Sequence, residues 1–102
     1  MEGEYPVLLD TFLNDSEQRV QQLQHALAEQ AAGLPALGLA AHSFKGSSGN
    51  LGAVHLAELC RQLEERAQQN LLAGAAELVR KIEIEFVTVR RLFSAERQRF
   101  CE

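Results

Sequence analysis

Strand-forming patterns, long apolar runs and positive charge are all scarce in this chain of 102 residues, and each shortage excludes something. Only two prolines occur, Pro6 and Pro35, in a sequence rich in Ala, Leu, Glu and Gln. That mix favours helix and leaves little for β-strands, so an all-α fold is expected. No apolar run reaches the roughly 18 residues that a membrane span needs. The N-terminus also lacks the basic start and apolar core of a signal peptide, so no membrane attachment and a cytoplasmic location are expected. Lys and Arg number 10 against 14 Asp and Glu, a net charge of −4. A nucleic-acid partner, which calls for a basic face, is therefore not expected. Cysteine is limited to Cys60, on a core stripe with Leu56 and Leu63, and Cys101, next to last. Their placement suits two free thiols, and they have no metal-site spacing.

Apolar periodicity divides the chain into four amphipathic segments. Leu9, Phe12, Leu13, Ser16, Val20, Leu23, Leu27 and Ala31 recur every three or four residues, which predicts one helix from about Tyr5 to Ala32. Asp15 with Gln18 resembles a capping box that would interrupt the helix at Asn14-Asp15-Ser16-Glu17, but the apolar phase runs through it unbroken. Gly33-Leu34-Pro35 punctuates the chain, with glycine closing one helix and proline opening the next. The second helix runs to about Asn50, and Leu51-Gly52-Ala53 forms a corner too short for anything but an antiparallel third helix, ending near Gln69. After a loop in which Asn70 suits a left-handed conformation, Val79, Ile82, Phe86, Val89 and Phe93 mark a fourth helix. Its tail, from Ala95, is expected to overhang the core. The predicted architecture is a single-domain antiparallel up-down-up-down four-helix bundle over residues 1–102, monomeric. Phe12, Phe44, Leu56, Leu63, Ile82, Phe86, Val89 and Phe93 are expected in its core.

The second helix has an unusual outer side. Leu37, Ala41, Phe44, Ser48 and Leu51 form its inner stripe, which leaves His42 facing out. Gly38, Gly46 and Gly49 surround that histidine at offsets of −4, +4 and +7, and Leu39 and Lys45 lie within a turn of it. A glycine in an exposed helix costs about 1 kcal/mol relative to alanine. What glycine supplies is room, so the pattern predicts a clearing in which a bulky partner approaches the imidazole. Imidazole is a competent nucleophile near neutral pH. Lys45 can stabilise charge on a group attached to it. If the third helix returns antiparallel, Gln62 or Glu64 reaches the level of His42 and can hold its second ring nitrogen. Helix phase puts the two on opposite flanks of the core stripe, and Glu64 is the preferred candidate. His25 and His55 read as solvated surface histidines, and no paired Glu-x-x-His motif of a di-iron bundle occurs. No P-loop and no acidic cluster adjoins His42, so it is a passive acceptor needing no cofactor or metal of its own.

His42-Ser43-Phe44-Lys45-Gly46, the small Ser47-Ser48, and Gly52 ten positions after the histidine resemble the signature of histidine-containing phosphotransfer (HPt) domains. Leu56-Ala57-x-Leu59-Cys60-x-x-Leu63-Glu64 resembles the family's following helix, and the likeness spans the chain. One family feature, a further short N-terminal helix, is not expected here, because the bundle begins almost at Met1. The resemblance implies a phosphorelay carrier without a nucleotide site. His42 would exchange a phosphoryl group with the aspartates of response-regulator receiver domains, fed by an upstream hybrid sensor kinase. The receiver would supply Mg²⁺, an acidic cluster and its own lysine. Two alternatives share the same face: the phosphoacceptor domain of a chemotaxis-type kinase, and a helical interaction module without phosphate chemistry.

Overall fold

The computed structural model describes residues 4–99, so Cys101 lies outside the described residues. Four helices account for most of that range: α1 (Glu4–Ala28), α2 (Leu34–Asn50), α3 (Val54–Gln68) and α4 (Ala75–Arg99). No strand occurs among the described residues. Cross-helix pairs show the directions. Gly38 lies against Ala67 and His42 against Glu64, so α2 and α3 are antiparallel. Gln24 bonds Glu83, Arg90 bonds Glu17, and the Phe12 and Phe93 rings meet at 5.4 Å, so α1 and α4 are antiparallel too. This arrangement is consistent with the expected up-down bundle.

The core follows the three/four spacing. Phe12, Phe44, Leu56, Leu63, Ile82, Phe86 and Val89 are buried, and the Phe44 and Phe86 rings meet edge-on at 6.1 Å. Phe93 departs from the expectation and is only partly buried. By the level of Phe93, α4 has run beyond the start of α3, and Phe12 on α1 supplies the aromatic partner. Cys60 is fully buried, and burial pushes its thiol pKa up to about 12, which makes it a core residue rather than a nucleophile.

The connections carry the main corrections. Helix α1 passes through Asn14–Glu17 without a break but stops at Ala28, not Ala32. Gln30 adopts φ +56°, and a 3-10 turn (Gln30–Gly33) follows. Gln30 has no residue-type preference for a left-handed backbone, which is why the periodicity ran past it. Gly33 is not a left-handed helix end either, since its φ is −87°. Its lack of a side chain lets the chain fold back onto α1, because a Cβ would collide with the Ala26 carbonyl oxygen. Asn70 (φ 62°) does take the left-handed turn expected of it, and Gly52 (φ 80°) makes the corner between α2 and α3.

Glycines at 33 and 46 should therefore respond oppositely to one methyl group. Gly33→Ala forces the turn away from α1 and is expected to lower stability by about 1–3 kcal/mol or more. Gly46→Ala meets no atom within 4 Å and should raise stability by up to about 1 kcal/mol. Denaturant melts of the two variants against the parent measure both, and a stable Gly33→Ala protein would contradict the described turn.

Candidate functional site

Helix α2 is built to turn one face inward and leave the other open. Leu37, Ala41, Phe44 and Ser48 are buried, and the side chain of His42 on the opposite side is 65% exposed. A Cβ at Gly46 or Gly49 would meet nothing within 4 Å, so these two glycines do leave open space beside the histidine. Gly38 has a different position. A Cβ there would come 3.0 Å from the Cβ of Ala67, so this glycine lets α3 approach α2 closely. It still borders the groove between these helices that His42, Leu39 and Glu64 also line. Leu39 is 72% exposed, one turn before His42.

The close approach brings a carboxylate from α3 under the imidazole. Glu64 Oε2 lies 2.7 Å from His42 Nδ1, and Glu64 Oε1 accepts a hydrogen bond from Lys45 Nζ at 2.6 Å. Gln62, the other candidate, faces away and donates to Glu58 at 3.3 Å. The His42–Glu64 and Lys45–Glu64 lengths are those of charge-assisted bonds. The Lys45 ammonium holds the Glu64 carboxyl below its ordinary value of 4.5, and the His42 bond adds to this, while partial burial opposes both. The group is accordingly a carboxylate near neutral pH and can only accept. A neutral His42 ring must then carry its proton on Nδ1 and leave a lone pair on Nε2, directed to solvent.

The remaining candidates stay apart from this network. His25 is exposed in the last turn of α1, with Nε2 3.8 Å from Glu29 one turn on. His55 is exposed at the start of α3. Among the described residues no group of three or more His, Cys, Asp or Glu side chains is placed to hold a metal ion. No helix among them is long and apolar enough to cross a membrane. What distinguishes Glu64 from Gln62 is the rotation of α3 about its axis. A sequence signal for it exists in the small pair Gly38 and Ala67, which fixes the flank of α3 turned to α2.

The chain resembles known proteins on this same ground. The family model described as the Hpt domain matches residues 7–97. A crystal structure of histidine-containing phosphotransfer protein B (HptB) from Pseudomonas aeruginosa PAO1 matches with a TM-score of 0.88 and 53% identity. The match covers 97% of this chain and 84% of that one. No curated protein sequence matches the chain.

The Glu64 contact makes a spectroscopic prediction. The ¹⁵N shifts of neutral His42 should report a protonated Nδ1 and a bare Nε2 in the parent, and a mixed population in Glu64→Ala. Because the Glu64 pKa is lowered on folding, its bond contributes above the unfolded value of 4.5 and is lost as pH falls through the folded pKa. Equal ring shifts in parent and variant would contradict the contact.

Proposed function

The chain belongs to the Hpt domain family and is a histidine phosphotransfer protein of phosphorelay signalling; on that premise we propose that His42 is its phosphoacceptor. The observation that carries this reading is an exposed imidazole whose Nδ1 is engaged by Glu64, beside two glycines that keep its approach open. In the proposed reaction, the Nε2 lone pair attacks the phosphorus of an aspartyl phosphate on a receiver domain. The N–P bond forms as the P–O bond to the aspartyl carboxylate breaks, and the electron pair leaves with that carboxylate. The ring gains positive charge while Nδ1 keeps its proton, and the Glu64 carboxylate stabilises that charge. The reverse sequence delivers the phosphoryl group to another receiver.

Lys45 has two tasks in this proposal. It neutralises Glu64, so that a carboxylate so close to the ring does not repel the incoming phosphoryl group, and it places positive charge one turn from the acceptor. Mg²⁺ and the acidic cluster that binds it are assigned to the receiver, and a hybrid sensor kinase is the proposed upstream donor. The protein acts as a monomeric cytoplasmic carrier with no nucleotide site. The alternative of a partner-binding module without phosphate chemistry gives no role to the Glu64–His42 bond, and phosphoryl carriage is favoured for that reason.

His42→Gln should abolish labelling from a phosphorylated receiver. It should cost at most about 1 kcal/mol of stability, since the exposed imidazole packs little and Glu64 keeps its bond from Lys45. Lys45→Ala should slow transfer about tenfold, equivalent to about 1.4 kcal/mol of barrier, without eliminating it. Transfer of radiolabelled phosphate on gels measures both, and full labelling of His42→Gln would place the acceptor elsewhere.

A further inference from the structure

Helix α4 carries a second periodic pattern, on the side that the core does not use. Leu78, Val79, Ile82, Phe86 and Val89 are buried, and at about 100° per residue the opposite stripe holds Arg80, Ile84, Val87 and Arg91. All four are exposed, Ile84 by 62% and Val87 by 40%. β-Branched side chains are mediocre helix formers, and a solvated face is better served by Lys, Glu or Gln. Ile84 also stands on the ridge between two surface grooves, one towards α3 with Leu59 and Gln62, the other towards α1 with Gln24 and Leu27. Helices α2 and α4 each pack on α1 and α3, and they meet across the core through Phe44 and Phe86. The stripe therefore faces away from His42.

Its two arginines are distinguished by what they lack. Every other lysine and arginine whose side chain is described pairs with a carboxylate or bonds a backbone carbonyl. Among the described residues, Arg80 and Arg91 have no such partner, although the chain holds 14 Asp and Glu. They stand about 16 Å apart along the helix, one at each end of the aliphatic pair.

Charge decides what can lie on this face. The spacing, offsets of 4, 7 and 11 from Arg80, reads the same in either direction. A second copy laid on the stripe in register, parallel or antiparallel, would set arginine against arginine at both ends. An anionic lipid surface is no better match, because it takes a cluster of basic residues and here two cations sit on a protein of net charge −4. The complement is a helix with two apolar residues between two carboxylates at the same spacing, since a guanidinium holds a carboxylate with two parallel bonds. We propose that the outer face of α4 docks an acidic amphipathic helix of a partner protein, with Ile84 and Val87 packing on its apolar residues and Arg80 and Arg91 each holding a carboxylate. The contact is short and belongs to the small, transient class of interfaces. It goes beyond the phosphotransfer reading, and its position leaves the His42 face free while the partner is bound.

The probe is an alanine-rich peptide of about 18 residues, long enough to be partly helical alone, with Glu-x3-Leu-x2-Leu-x3-Glu at its centre. Titrated at low salt into the ¹⁵N-labelled full chain, it should bind saturably, shift the backbone signals of residues 80–91 and leave those around His42 unmoved. The double variant Arg80→Glu/Arg91→Glu, at exposed positions where folding is unaffected, should weaken binding at least tenfold. Replacing both peptide glutamates by lysine should restore binding to that variant, a rescue that a purely apolar contact does not give. No saturable binding, shifts centred on α2, or an affinity indifferent to these charges would overturn the proposal. So would binding to phosphatidylglycerol vesicles in place of the peptide, which would make the face a membrane contact. Shifts at residues 80–91 on concentrating the protein alone would overturn it as well, by making the face a contact between copies. The titration uses no phosphoryl donor, so finding the acceptor elsewhere than His42 would leave its result unchanged.

Discussion

One carboxylate on α3 is shared by two side chains of α2, and the chemistry of the exposed face depends on that sharing. Glu64 is only 13% exposed, so its charge has lost much of its water and needs the partners that Lys45 and His42 provide. The two bonds are coupled through it. Lys45 keeps the carboxyl ionised, and the ionised carboxyl decides which nitrogen of His42 holds the proton. In the proposed reaction this leaves the Nε2 lone pair, which points away from the bundle, as the nucleophile.

Helix spacing is what places the carboxylate there. Gly38 and Ala67 allow α2 and α3 to approach within van der Waals contact, and the left-handed Gly52 makes the corner that sets their register. Gly33 anchors the other end of α2 against α1. Glycine therefore has two opposite uses in one short stretch. At positions 33 and 38 it admits the protein's own backbone and side chains. At 46 and 49 it leaves open space on the outer face, at about 1 kcal/mol of helix propensity each. Stability given up at the outer pair is of the kind that functional surfaces commonly lose.

Much of this was legible in the sequence, and the misses have physical causes. The inward stripe of α2, and with it the exposure of His42, follows from helical periodicity because apolar burial obeys it directly. The choice between Glu64 and Gln62 does not follow, because periodicity fixes a residue's position on its own helix but not the helix's rotation against a neighbour. Gly38 belongs to the helix contact rather than to the open clearing for the same reason: its offset from His42 puts it near that face, but only the approach of Ala67 shows what fills the space. The early stop of α1 rests on the left-handed Gln30, a residue type that does not advertise that conformation. Phe93 keeps the spacing of a core residue beyond the point where the bundle still has four helices to bury it.

The central claim is that Glu64 reserves Nε2 of His42 for the phosphoryl group, and the position of phosphate on the ring tests it most directly. Phosphorylated, ¹⁵N-labelled protein can be examined by NMR for ³¹P–¹⁵N coupling at the two ring nitrogens. Coupling at Nε2, with Nδ1 still protonated, is the result predicted from the geometry. Phosphate on Nδ1, the nitrogen that Glu64 occupies, would contradict it.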